Sequence, residues 1–166
     1  PSAGTVTYTV TGTDANTCVN TATISITVNP LPTVTASSTP ISPLCEGDNL
    51  TLNGSGATTY TWTDGTSNYT DGITFTPAVG TAIYTVTGTD ANSCENTATI
   101  SITVNANTAS TDTQSHCDSY TWLDGVTYST SNNTATFTST NLSGCTNIAT
   151  LDLTITNSTI STDVQV

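Results

Sequence analysis

The sequence predicts an all-β protein made of small antiparallel sandwich domains strung in tandem. Three observations carry that expectation. Residues 80–105 (GTAIYTVTGTDANSCENTATISITVN) repeat residues 4–29 (GTVTYTVTGTDANTCVNTATISITVN) at 22 of 26 positions, with an offset of 76. A recurrence at such a period marks stacked supersecondary units. Within each copy, apolar and hydroxyl residues alternate with period two, as strands with one core face and one wet face require. Turn formers then recur about every 8 to 12 residues, the spacing of sandwich strands.

Taken in order, residues 1–29 read as the closing hairpin of a repeat whose beginning would precede residue 1. Asn29-Pro30-Leu31-Pro32 reads as a stiff linker, because proline fixes φ and donates no backbone hydrogen bond. Residues 30–105 read as one complete domain, with strands expected over 33–37, 49–53, 58–63, 73–76, 82–88 and 98–104. Asp64-Gly65 and Asp71-Gly72 supply turn signals. In the last two strands Tyr84, Val86 and Gly88 should share one face with Ala98, Ile100, Ile102 and Val104. Leu50, Leu52, Trp62, Phe75 and Tyr84 are the expected large core residues. Residues 106–156 read as a shorter relative: Tyr120-Thr-Trp-Leu-Asp-Gly125 echoes Tyr60-Thr-Trp-Thr-Asp-Gly65, and 145–155 echo 94–104. Residues 157–166 read as the start of a further repeat, since 161–165 echo 110–114.

Composition narrows the partners. Lys and Arg are absent, ten Asp and two Glu give a net charge of −12, and Thr fills 44 of 166 positions. Nucleic-acid binding is excluded as an expectation, because it needs cations to displace phosphate counterions. Membrane insertion by a helix is excluded too, because no apolar run approaches ~20 residues. With no Lys or Arg there are no side-chain salt bridges to Asp or Glu, so stability must come from small cores and from cysteine.

The five cysteines are Cys18, Cys45, Cys94, Cys117 and Cys145. There is no CxxC and His116 stands alone, so disulfides are favoured over a zinc site. Aligning the repeats predicts Cys45–Cys94 within one domain and Cys117–Cys145 within the next, leaving Cys18 to a partner outside the chain. Such bridges would suit domains too small to bury much surface, and they imply an oxidising, extracellular setting.

Few residues suggest chemistry. Asp64 and Asp71 are the nearest to a carboxylate pair, but both sit in turn signals, and no catalytic motif accompanies them. No enzyme is expected. Asp90, Asn92 and Asn96, with their copies Asp14, Asn16 and Asn20, offer the oxygen ligands that calcium takes, with Glu46 and Asp48 near Cys45 as further carboxylates. The alternative is that these side chains satisfy their own turn backbone. No other cofactor is implied. Trp62 and Trp122 could stack on sugars, although a sandwich Trp usually packs inward. His116 reads as an exposed strand residue.

The segment Tyr84–Asn105 (YTVTGTDANSCENTATISITVN), together with Pro32–Ser37 (PTVTAS), resembles the immunoglobulin-like tandem repeats of giant cell-surface proteins of Bacteroidota, typically exported by the type IX secretion system. Cys117–Tyr128 (CDSYTWLDGVTY) resembles a shorter repeat of the same kind of protein. The resemblance covers nearly the whole chain. It implies immunoglobulin-like sandwiches in an elongated array and a place at the cell surface. The role implied is a shaft segment of an adhesin or attachment appendage, held to neighbouring repeats of the same polypeptide. A self-assembling subunit of a filament, hook or sheet, with identical chains as partners, is the second reading. A carbohydrate-binding module is the third. The resemblance carries no catalytic residues. Where such turns usually have glycine after Asp-Ala-Asn, this chain has Thr17 and Ser93.

Overall fold

The computed structural model describes residues 2–159. It is all-β, with no helix among those residues. Most of the expected further repeat at 157–166 lies outside the described residues.

The first hairpin joins β1 (Gly4–Thr13) to β2 (Val19–Val28) in a ten-pair antiparallel ladder that sets Val6 opposite Ile26, Tyr8 opposite Ile24 and Val10 opposite Ala22. All three pairs fall on one face, as the period-two pattern predicts. Here that face is open: Val6, Tyr8, Val10, Ile24 and Ile26 are 49–66 % exposed.

The chain continues through β3 (Thr35–Thr39), β4 (Leu44–Cys45), β5 (Leu50–Ser55), β6 (Thr59–Thr63), β7 (Asn68–Tyr69), β8 (Thr74–Phe75), β9 (Gly80–Thr89) and β10 (Glu95–Asn105). These form two sheets, ordered β3-β5-β8 and β4-β10-β9-β6-β7. The six expected strands are present with ends shifted by up to three residues. The two-residue strands β4 and β7 were not expected, because two residues show no period. Leu50, Leu52, Trp62, Tyr84, Val86 and Ile102 are almost wholly buried. Phe75 is half-buried and completes an aromatic cluster, its ring 4.5 Å from Tyr69 and 5.9 Å from Tyr84. Gly88 is small because it must be: a Cβ there would lie 2.6 Å from Val34 Cγ2 and 2.9 Å from Ala57 Cβ.

The remainder is β11 (Thr108–Cys117), β12 (Tyr120–Thr121), β13 (Thr127–Tyr128), β14 (Thr136–Thr140) and β15 (Thr146–Thr156), in sheets β11-β15-β14 and β12-β13. β11 and β15 run parallel over ten pairs. Trp122, Ala149, Leu151 and Leu153 form the core here, lined by Tyr120, Tyr128, Ala135, Phe137 and Ile155.

Packing divides the chain into two compact units. Among the described residues, one comprises 2–42, 49–75 and 82–102; the other comprises 43–48, 76–81 and 103–159. These are groupings by contact, whereas the boundaries at 29/30 and 105/106 mark recurrence of sequence.

The outward faces carry hydroxyl ladders across strand pairs: Thr5 with Thr27, Thr7 with Ser25, Thr51 with Thr74, Thr81 with Thr103 and Thr121 with Thr127, all at 2.7–3.0 Å. Such cross-strand pairs each contribute up to about 1 kcal/mol in place of ion pairs.

Candidate functional site: turns, tryptophans and cysteine junctions

The hairpin turns are built by a single device. In the turn closing β1–β2, Asp14 Oδ1 accepts from the N–H groups of Asn16 and Cys18, both at 2.9 Å. In the next copy Asp90 Oδ1 accepts from Asn92 N–H at 2.8 Å and Cys94 N–H at 2.9 Å. In the third, Asn141 Oδ1 accepts from Ser143 and Cys145 N–H, both at 3.0 Å. Asx side chains thus satisfy the turn backbone themselves. The residue before each cysteine has positive φ: Thr17 at 65°, Ser93 at 61° and Gly144 at 81°. Thr and Ser therefore carry left-handed strain where the third turn uses glycine.

Several of the oxygens proposed for calcium make turn contacts of this kind, while no such bond engages the side chains of Asn16 and Asn92 among those described. Besides Asp14 and Asp90, Asn20 Oδ1 accepts from Thr21 N–H, and Asn96 Oδ1 accepts from Thr97 N–H while its Nδ2 donates to Pro32 O. Glu46 Oε2 accepts from Asn107 N–H, and Asp48 Oδ2 from Cys45 N–H. Among the described residues no group of three or more His, Cys, Asp or Glu converges to hold a metal ion.

The two tryptophans point inward. Trp62 is 1 % exposed and Trp122 is 4 % exposed. Each indole N–H donates to an aspartate at 2.8 Å: Trp62 Nε1 to Asp71 Oδ1, and Trp122 Nε1 to Asp112 Oδ2. Asp71 Oδ1 also accepts from Gly54 N–H at 2.7 Å, so this carboxylate ties a turn to two strands. Asp112 also accepts from Gln114 Nε2; that bond and the Trp122 bond hold its carboxyl below the usual range. Neither indole offers a face to a sugar.

The Asp of each Trp-x-Asp-Gly motif organises its own turn. Asp64 Oδ1 accepts from Ser67 N–H at 2.7 Å and from Thr66 N–H and Oγ1, and Oδ2 accepts from Tyr69 Oη at 2.7 Å. The Ser67 N–H first, then the Tyr69 hydroxyl, hold its carboxyl well below the usual carboxylate range. Burial, aided by the Asp64 bond, pushes the Tyr69 phenol up to about 12. Asp124 repeats the arrangement, with Oδ2 accepting from Tyr128 Oη at 2.6 Å, and this bond raises the Tyr128 phenol. Asp64 and Asp71 thus serve different turns. His116 is half-buried rather than exposed: it stacks on Tyr120, the rings 4.1 Å apart, and shares a hydrogen bond with Gln114.

The cysteine pairing departs from expectation. Cys45 is bonded to Cys145, 100 residues away in sequence, with Cα atoms 5.5 Å apart; Cys18, Cys94 and Cys117 are free thiols. The physical reason lies in the parallel strands. β11 pairs with β15 so that Cys117 sits beside Thr156, at the far end of β15, whereas Cys145 immediately precedes the start of that strand. An eleven-residue strand spans about 36 Å, far beyond the ~7 Å Cα separation a disulfide tolerates. Likewise β4 places Cys45 beside Asn105, the last residue of β10, while Cys94 immediately precedes its first. A bridge inside either repeat is therefore out of reach, and the observed one joins the N-terminal cysteine of one repeat to the turn cysteine of the next.

Around this bridge Glu46 N–H donates to Asn105 O at 2.8 Å, and Asn107 Nδ2 donates to Glu46 O. Asn141 Nδ2 donates to Ala106 O at 3.1 Å, and Thr146 N–H donates to Asn107 Oδ1 at 3.2 Å. Sequence reasoning missed this role for Glu46, Asn107 and Asn141, and missed the Asp71–Trp62 and Asp112–Trp122 pairs. The one available signal was the repeated Tyr-Thr-Trp-x-Asp-Gly string, which pointed to the tryptophans and not to their partners.

No protein-family model matches the chain, and no curated protein is detectably similar to it.

Proposed function

We propose that the chain is a shaft segment of a large extracellular adhesin or surface appendage, built of immunoglobulin-like sandwiches in an elongated array and exported by type IX secretion. The role is mechanical and uses no catalytic group. The observation that carries it is the Cys45–Cys145 bridge, which links two sequence repeats covalently. When the chain is pulled from outside residues 45 and 145, the bridge takes the tension and the residues between cannot extend. At about 3.3–3.6 Å per residue, the 100-residue separation hides some 330–360 Å of contour length. Disulfides persist in oxidising surroundings, which supports a place outside the cell. The buried, hydrogen-bonded tryptophans and the hydroxyl-covered strands suit a spacer better than a receptor surface.

Single-molecule pulling tests this. The oxidised chain should lack the 330–360 Å release, and reductant should restore it. Equal extension in both states would remove the mechanical reading.

A further inference from the structure

The Cys45–Cys145 bridge meets solvent unevenly. Cys145 is 1 % exposed, whereas Cys45 is half-buried. A reducing thiolate must attack one of the two sulfurs, and the Cys45 side is the open one.

That side carries two carboxylates. Asp48 Oδ2 accepts from Cys45 N–H at 2.8 Å, and Asp48 N–H donates back to Cys45 O at 3.0 Å. The bonds from Cys45 N to its own Sγ span at most about 4 Å, so the Asp48 oxygen stands within about 7 Å of that sulfur. Glu46 Oε2 accepts from Asn107 N–H at 3.1 Å, and Asn107 Oδ1 accepts in turn from N–H of Thr146, the residue after Cys145, at 3.2 Å. Both acids are therefore pinned against backbone that borders the bridge. No side-chain cation answers them: the chain has no Lys or Arg, and His116 pairs with Ile155, at the end of β15 away from Cys145.

We propose that the bridge is a redox switch gated by reagent charge: it opens to small thiols of low negative charge, attacked at Cys45, and resists polyanionic thiols such as glutathione. Its use to the chain rests on the mechanical reading above, since opening the bridge is what frees the residues between; the selectivity rests on the bridge and its carboxylates alone. The thiolate bonds to Cys45 Sγ while the S–S bond breaks, and Cys145 leaves with the electron pair and takes a proton from water. A second thiol then displaces Cys45, so two reagent thiols supply the two electrons and end as one reagent disulfide.

With both carboxylates at about 7 Å in water, each added negative charge on the reagent slows attack about five-fold at ~10 mM ionic strength, and about two-fold at physiological strength.

The test uses the full chain with Cys18, Cys94 and Cys117 replaced by serine, so that only the bridge reacts. Its reduction is timed with cysteamine, mercaptoethanol and mercaptoethanesulfonate, whose thiolates are respectively neutral overall, singly negative and doubly negative. Each rate is divided by that thiol's rate on a small uncharged disulfide, which removes differences in nucleophilicity. The expected result is about a five-fold drop per step at low salt, shrinking as salt is added, with the mixed disulfide trapped on Cys45. Glu46→Gln with Asp48→Asn keeps the acceptor oxygens and should flatten the series. Asp152→Asn, seven residues along β15 from Cys145 and so about 23 Å away, should leave it unchanged. The salt dependence of the unsubstituted carboxylates gives the same information should the double variant fail to form the bridge. Equal normalised rates for the three thiols, a series that survives the double variant, or a mixed disulfide mainly on Cys145 would each overturn the proposal. Pulling experiments bear on the mechanical reading separately: charge-selective reduction without any gain in extension would sink that reading and uphold this one.

Discussion

Consider removal of the Cys45–Cys145 bridge by Cys45→Ser, by Cys145→Ser and by both together. The bond closes a loop of 100 residues. On the chain-entropy treatment, such a cross-link destabilises the unfolded ensemble by about 4.7 kcal/mol at 25 °C, a large share of the 5–15 kcal/mol that holds an ordinary domain folded. Each single variant should therefore lose up to about 4.7 kcal/mol of unfolding free energy in urea titrations under oxidising conditions. The double variant should lose no more, because all three break the same bond and effects within one interaction do not add. Reductant should bring the parent to the same level and leave the variants unmoved. Additive losses, with the double variant near twice the singles, would mean that Cys45 and Cys145 belong to separate bridges, and would refute the strand-end argument. A loss below about 1 kcal/mol in every variant would refute the loop-entropy magnitude.

Four further outcomes are expected. The Asp64 carboxyl is depressed in the folded state, so its stabilisation is present above the unfolded value near 4 and declines as pH falls below it; acid unfolding monitored by fluorescence should be less steep in Asp64→Asn than in the parent. The Tyr69 phenol is raised from about 10 to about 12, so the stability it carries is intact below pH 10 and lost as pH rises through 12; Tyr69→Phe should flatten the alkaline limb of the same curve. Asp71→Ala leaves the buried Trp62 and Gly54 N–H groups without their acceptor and should cost about 1–3 kcal/mol in urea, with a smaller cost in a Trp62→Phe background. At Gly144, where φ is 81° and an added Cβ meets nothing within 4 Å, Gly144→Ser should cost about 1 kcal/mol through backbone strain alone, read as a lowered thermal midpoint.

What could be read in advance followed from local periodicity. Tyr84, Val86 and Gly88, with Ile102 and Val104, lie buried where alternation put them, because a long half-buried strand displays its register in its own sequence. The Thr–Thr ladders follow from the same alternation. The cysteine pairing was hidden for a non-local reason. It depends on Leu44 and Cys45 lying parallel to Val104 and Asn105, and a two-residue parallel strand has neither a period nor a connecting turn to announce it. Aligning the repeats showed which cysteines correspond, yet correspondence does not say which end of a 36 Å strand each one occupies. Asp71 and Asp112 were obscured differently. Asp71 does stand in a turn, as its Asp-Gly signal says, but its second task on Trp62 is set by the path of residues 54–71. Asp112 lies ten residues before Trp122, in a segment without any turn signal.

The hydroxyl ladders bear on the solution in which such a chain can work. Each rung is a neutral pair in which either oxygen can donate, so reversing one rung needs only the rotation of two protons. Dissolved ions screen charges and leave such rungs untouched. The carboxylates, by contrast, stand largely in turns, as at Asp14, Asp64, Asp90 and Asp124, where backbone N–H groups hold them in place. The hydroxyl ladders are therefore indifferent to whether the surroundings are fresh water or brine, and salinity acts at the carboxylates, in the turns and at Glu95, Asp112 and Asp152 on the strands.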